Sequence, residues 1–306
     1  MRRSTRRLVS TGIGSAARYL AECRTAPKQL CIHDGAVEWP NTVAAAYAEQ
    51  ALLHEMLWNA GHTVIGNKVG CTTPVMQKYL DVPHPCAGGI YDTGLWRQSS
   101  AEPVEVDVSR FRRLGLECEI AVVLGAAMEP GVADLTAAAR AVDTVHAAVE
   151  MVDDRYESFE TRRPGVCAWI ADDFFHAGSI LGPPLAADPL GLDALSGAMW
   201  VDGACVGEGR GCDIVAGHPL EALVWLANSE MAAAMGGLPR GWVVSLGSVC
   251  KTVWLDHQPT AARTEVRVAF GAENEMHDGG EQALGERSLQ LAAPESILSL
   301  VLTDGG

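Results

Sequence analysis

Residues 114–124, LGLECEIAVVL, restrict the fold more than any other segment. The run is aliphatic and alternating, the pattern of a strand. Successive side chains on a strand take opposite faces. Glu117 and Glu119 therefore point the same way, about 6.5–7 Å apart along the strand, and Ala121 and Val123 continue their side. Cys118, Ile120, Val122 and Leu124 take the other face. Two like charges beside an apolar run are costly unless something positive lies between them. A hard divalent cation held by oxygen ligands supplies that charge, and Mg2+ suits a few carboxylates with water and substrate oxygens. Spacing alone also allows an edge strand whose glutamates face water.

The rest of the chain is read around this strand. Residues 42–60 repeat apolar side chains near every 3.6 positions and predict a helix ended by Gly61. A short strand over 63–65 leads into the glycine setting Gly66-Asn-Lys-Val-Gly70. Residues 71–100 are rich in Gly, Pro and Thr and predict loops. Residues 103–108 predict a strand. Residues 134–147 predict an Ala-rich helix, with strand character toward 152. Asp202-Gly203 between two apolar triplets predicts a hairpin turn. Residues 219–235 predict a helix with Pro219 at its start and Gly236-Gly237 past its end. Strands follow at 242–246, 251–255 and 264–270, then a polar, weakly helical tail. Strand and helix do not alternate regularly, which argues against a dinucleotide-binding sheet or an eightfold βα barrel. The expectation is an α+β fold, a mixed β-roll or sandwich. It divides into a basic arm at 1–36, a helical region with the Gly-Lys loop at 37–100, a β-rich core at 101–271 and a tail at 272–306.

Charge narrows the partners. The 306 residues carry 38 acids and 23 bases, a net −15. Seven bases and one acid lie in residues 1–30, so a basic leader precedes a strongly acidic body. An acidic body repels nucleic acid and anionic lipid. No stretch approaches the roughly 20 apolar residues of a membrane helix. Thr5-Arg-Arg-Leu8 resembles a twin-arginine signal, but no clean apolar run follows it. Nine irregularly spaced cysteines form no C-x-x-C pair, so neither a thiolate zinc site nor a disulfide framework is suggested. A cytoplasmic protein with no membrane partner is expected.

Other residues stand out singly. Glu150 sits in the apolar run Ala147–Val152 with no base before Arg155. A lysine in a tight glycine setting, Lys68, can meet a carboxylate or act as acid or base. Ser245-Leu-Gly-Ser248 presents backbone N–H groups that suit a carboxylate, or simply ends a strand. His218 at a helix start serves either the helix or a pocket. Arg210, between two glycines, is a candidate for binding a carboxylate.

Taken in order, six segments resemble the fumarylacetoacetate hydrolase superfamily, in its 2-keto-4-pentenoate hydratase and 4-oxalocrotonate decarboxylase branch. They are Thr42–Gln50, Gly66–Gly70, Glu117–Leu124, Val149–Val152, Ile170–Asp173 and Gly217–Ala227. The resemblance spans roughly residues 37–270. It implies that superfamily's rolled β-sheets, a homo-oligomer, and Mg2+ or Mn2+ on Glu117, Glu119 and Glu150. It implies a small 2-oxo acid substrate chelating the metal, which stabilises the enolate formed when a proton moves or a carbon–carbon bond breaks. Lys68, Asp92 and Asp172 take the catalytic positions, and Gly70, Arg210, His218 and Ser248 the substrate-binding ones.

Two segments depart from the family. Asp172-Asp-Phe-Phe175 stands where hydratases carry Asp-Asn-x-Ser, and Pro85-Cys-Ala-Gly88 stands where the family carries Pro-Asp-aromatic-Gly. An acid and an aromatic are missing from the second. The two phenylalanines suggest a bulkier or more apolar acid. The expected function is a hydratase, then a decarboxylase, then an acylpyruvate C–C hydrolase with a histidine such as His33 near the metal. A non-catalytic scaffold subunit is the reading of another class.

Overall fold

The computed structural model describes residues 14–25, 37–99, 101–156, 164–255, 263–272 and 297–303. The basic leader before residue 14, His33 and most of the tail lie outside the described residues. Among the described residues no helix is long and apolar enough to cross a membrane.

Two sheets and a helical layer make up the fold. The larger sheet runs in the order β2 (Cys86–Tyr91), β1 (Val64–Gly70), β10 (Val243–Ser248), β5 (Leu114–Leu124), β6 (Val142–Asp153), β7 (His176–Leu185), β3 (Leu95–Arg97), with β11 (Val253–Trp254) also paired to β5. The smaller runs β4 (Val104–Asp107), β13 (Leu298–Thr303), β12 (Arg263–Ala272), β8 (Leu195–Val201), β9 (Ala204–Arg210). Pairs β1/β10, β3/β7 and β4/β13 are parallel and the rest antiparallel. Strands from residues 64–97 thus share a sheet with those from 114–254. This mixed, two-sheet α+β architecture is the expected class.

The β5 face bearing Leu116, Cys118, Ile120 and Val122 enters the main core, together with Val266, Val268, Leu298 and Leu300 of the smaller sheet. The opposite face of the larger sheet meets α1 (Ser15–Thr25), α2 (Val43–Asn59) and α5 (Val166–Ala171) across a second apolar cluster with Leu20, Leu53 and Trp169. Thr42 caps α2 by accepting from Ala45 N–H. Buried Glu49 of α2 caps α1, accepting from Gly14 N–H at 2.6 Å and Ala17 N–H at 2.8 Å. A carboxylate at that end also complements the helix dipole. Buried Gln50 ties the layer down by donating to Ala87 O and Ile170 O.

Several local expectations are corrected. The glycine setting around Lys68 is the body of β1, with hydrogen-bonded neighbours on both sides. Gly66 is needed there because a Cβ would sit 2.3 Å from Val243 O. Residues 71–100 hold α3 (Pro74–Leu80), capped by Thr73, besides β2 and β3. The Ala-rich helix, α4 (Leu135–Ala141), stops where β-branched residues begin, and β6 starts at once at Val142. The segment 219–235 is two helices, α6 (Leu220–Ala227) and α7 (Glu230–Met235), because Ser229 caps a new helix rather than continuing the old one. Among the described residues the tail contributes β13; the rest of the segment expected to be weakly helical lies outside them. The Asp202-Gly203 hairpin forms as expected, with positive φ at both residues.

Candidate active site

The site lies between the larger sheet and the helical layer. In the β5–β6 ladder Glu117 stands opposite Glu150, and Glu119 opposite Ala148. Directly opposed side chains of an antiparallel pair share a face and lie about 5 Å apart. The register therefore collects all three carboxylates, and one oxygen from each lies within 4.8 Å of the others. Glu119 and Glu150 are wholly buried.

Lys68 of β1 reaches the cluster, its Nζ 3.0 Å from Glu150 Oε1. His176, at the start of β7, places Nδ1 2.9 Å from the same oxygen. The Ser245 hydroxyl donates to Glu119 Oε2, and the Thr252 hydroxyl donates to Glu117 Oε1. Each glutamate is thereby fixed by one oxygen. Glu119 Oε1 and Glu150 Oε2 remain buried without a partner.

Electrostatics follow from this crowding. Burial, then the charges of Glu150 and Glu117, hold Glu119 well above the ordinary carboxylate range. Burial and then Glu150 push Glu117 up as well. Burial also acts to raise Glu150, but Lys68 and His176 outweigh it and hold that carboxylate below its ordinary value. Burial acts to lower Lys68, and Glu150, Glu117 and Glu119 overcome it, so the ammonium stays charged. Keeping all three acids ionised beside a single ammonium, with Glu119 and Glu150 wholly buried, requires further positive charge. Two buried carboxylate oxygens without donors complete a donor set that suits a hard divalent cation.

The roof of the site is the segment after α5. Asp173, Phe174 and Phe175 have φ of 52°, 50° and 67°. Left-handed backbone costs roughly 1–2 kcal/mol per non-glycine residue, so the surroundings must hold this turn. Asp173 accepts from Gly89 N–H at 2.8 Å and Tyr91 O–H at 2.7 Å, and meets His54 Nε2 at 2.6 Å. Phe174 lays its ring 5.1 Å from Lys68 Nζ. Phe175 turns away against Tyr156 and Trp169. Cys86, where the family carries an acid, is fully buried. Its thiol is pushed up by a hydrogen bond with Cys71 and then by burial.

The sequence-derived candidates divide accordingly. Lys68, Glu117, Glu119 and Glu150 come together. Gly70 lies against Phe174 and Lys68 Nζ. Ser248 pairs with Glu119 in the β10–β5 ladder, and its hydroxyl donates to Cys118 O. Asp172 is buried in the same layer, but its carboxylate is committed to Arg24, Arg155 and Tyr156. Three others have other engagements. Asp92 is exposed and holds a turn by accepting from Thr63 and Thr93 N–H. Arg210 is exposed at the end of β9 in the smaller sheet. His218 accepts from Leu220 N–H and donates to Leu190 O, which caps α6.

His176 and Thr252 were missed as site residues, and Ser245 and Phe174 were marked only through the segments that contain them. Only the position of His176 directly after Asp172–Phe175 marked it, because these side chains meet partners far away in the chain, which no local pattern discloses.

This fold, with three carboxylates and a lysine buried between sheet and helices, defines a fumarylacetoacetate hydrolase-type protein. No protein-family model matches the chain. It is 30% identical to 2-oxo-hept-4-ene-1,7-dioate hydratase of Escherichia coli over 216 residues, 69% of this chain and 79% of that protein. It is 31% identical to a 2-keto-4-pentenoate hydratase of Burkholderia vietnamiensis over 67% of this chain and 75% of that protein. It is 30% identical to a 4-oxalocrotonate decarboxylase of Pseudomonas putida over 72% of this chain and 81% of that protein. The fold superposes on a 4-oxalocrotonate decarboxylase from Pseudomonas putida G7, complexed with magnesium and adipate, with TM-score 0.76, 22% identity and coverage of 98% and 100%. The chain belongs to the 2-keto-4-pentenoate hydratase and 4-oxalocrotonate decarboxylase family.

Proposed function

We propose that this chain is a divalent-metal-dependent lyase acting on a 2-oxo or 2-hydroxydienoic acid, as a hydratase of the 2-keto-4-pentenoate type. One observation carries the reading: the oxygens of Glu117, Glu119 and Glu150 converge within 4.8 Å in a buried site. Two of the buried oxygens in that set have no donor. These residues would hold Mg2+ or Mn2+. The bound cation supplies Lewis-acid stabilisation of negative charge on the acid's 2-oxygen.

The chain's own side chains do the rest. The Lys68 ammonium, kept charged by the glutamates, meets the substrate carboxylate or delivers a proton. Ser245, Thr252 and His176 orient the three carboxylates. Phe174 and the helical layer keep water from Lys68. Gly70 and Ser248 flank the substrate. The reading includes a homo-oligomer in the cytoplasm, which the free thiols of all eight described cysteines support.

Decarboxylation is the second reading, favoured by the Pseudomonas putida relative of which this chain covers 81%. The test is a turnover screen of 2-hydroxydienoic and 2-oxo acids at saturating Mg2+ or Mn2+, following water addition and CO2 release separately. Water addition is expected. CO2 release without it makes the chain a decarboxylase, and no turnover of any acid leaves only the scaffold reading.

A further inference from the structure

We propose that Phe174 sets the substrate class of this site: the left-handed turn Asp173–Phe175 holds its ring over Lys68 as an apolar wall, which selects 2-oxo acids with a flat or apolar tail over those with a second carboxylate. The inference rests on the 2-oxo acid reading and names which members of that class fit.

The turn is built, not incidental. Three consecutive non-glycine residues take positive φ. Asp173 is fully buried and held by Gly89, Tyr91 and His54, with Arg24 at 3.5 Å. The two facing strands make room for it with glycine. A Cβ on Gly88 would sit 2.2 Å from Asp173 O, and a Cβ on Gly70 would sit 2.8 Å from Phe174 Cδ1. The anchor and both gaps therefore serve one outcome, the placement of the Phe174 ring.

That ring changes what Lys68 offers. One side of the ammonium faces Glu150 at 3.0 Å and another faces the ring at 5.1 Å. An aromatic face carries a negative quadrupole, which attracts the ammonium and repels a carboxylate laid against it. A conjugated or aliphatic tail meets no such penalty and gains stacking or apolar contact. The buried arginines of the same layer offer a second carboxylate little, since Arg24 and Arg155 both bind Asp172. Phe175 fills the core rather than the site. Of the two phenylalanines, only Phe174 stands beside Lys68.

The test compares two acids of equal chain length, 2-oxopentanoate and 2-oxoglutarate, binding to Mn2+-loaded protein by calorimetry. The wild type is expected to bind 2-oxopentanoate at least about tenfold more tightly. Phe174→Gly, which removes the ring and accepts the left-handed backbone, is expected to bring the two within about threefold, while Phe174→Tyr keeps the preference. Should Phe174→Gly fail to fold, Phe174→Asn carries the same comparison, since it removes the apolar ring and tolerates left-handed backbone. Equal or tighter binding of 2-oxoglutarate by the wild type overturns the proposal, as does a preference that survives loss of the ring. If neither acid binds, the proposal falls together with the reading it rests on. Selective binding without turnover of any dienoic acid overturns the assigned activity alone and leaves the wall in place.

Discussion

His176 Nδ1 lies 2.9 Å from Glu150 Oε1, the oxygen that also takes the Lys68 ammonium. Both donors fall on one oxygen, so the other, Glu150 Oε2, faces the carboxylate cluster unpartnered. The imidazole therefore aims the glutamate. His176→Phe keeps the ring volume and removes the donor. Second partners of a metal ligand typically govern about 10–100-fold in affinity, and a loss of that size is expected in Mn2+ titrations read by electron paramagnetic resonance. An unchanged Mn2+ affinity in a folded variant would show that His176 does not position Glu150.

Glu119→Gln separates charge from fold. Burial and two neighbouring carboxylates make the Glu119 charge costly before a cation binds. The metal-free variant is expected to melt no lower than the metal-free wild type. The stabilisation that Mg2+ gives the wild type, about RT ln(1 + [L]/Kd) and read as a rise in Tm, should vanish. Retention of full Mg2+ stabilisation, or of full activity, refutes the assignment of Glu119 as a ligand.

Asp173 gives a pH signature. Burial acts to raise its pKa, but His54, Arg24 and the hydrogen bonds outweigh it and hold the carboxyl far below the usual range. A group with a depressed folded pKa stabilises fully above its unfolded value, about 3.9, and loses that stabilisation as pH falls through the folded value. Asp173→Asn should cost about 3–5 kcal/mol near neutral pH, since it leaves buried donors without their charge. The gap between wild type and variant, read from urea melts, should stay flat from pH 7 to 5 and close below about pH 4. A gap that widens on acidification would contradict the ion pairing described.

Gly88→Ala and Gly70→Ala form a graded pair. At Gly88 the new methyl meets the fixed Asp173 carbonyl at 2.2 Å, whereas at Gly70 it meets the edge of an aromatic ring at 2.8 Å. Overpacking costs about 1–3 kcal/mol and more where nothing can move. Gly88→Ala is expected to lower Tm further than Gly70→Ala, and calorimetric melts decide the order. The reverse order would mean that the turn, not the ring, yields.

Features written in local periodicity were legible in the sequence. The helix at 42–60 and the strand at 114–124 emerge almost residue for residue, because the spacing of apolar side chains is itself the cause of those elements. Glu117 and Glu119 share a face for the same reason. Cys86–Tyr91 was read as loop because Gly88 and Gly89 argue against a strand on propensity. Their need arises from Asp173 and His54, which approach from other segments. Thr252 donates to Glu117 from 135 positions away and Ser245 to Glu119 from 126, distances over which no pattern reaches. Asp92 and Arg210 show the converse. Each is a plausible residue type in a plausible place, but Asp92 holds an exposed turn and Arg210 stands exposed at the end of β9.

The pairing of Glu117 with Glu150 makes folding and assembly of the carboxylate cluster a single decision. A slip of one residue between β5 and β6 exchanges the two faces of a strand. Leu116 and Cys118 would then line the cleft, and the carboxylates would enter the apolar core. Such a misaligned chain loses its binding chemistry and its interior in the same step, so a half-correct, weakly active form has no stable place to exist. Activity in this protein is consequently a faithful reporter of strand alignment.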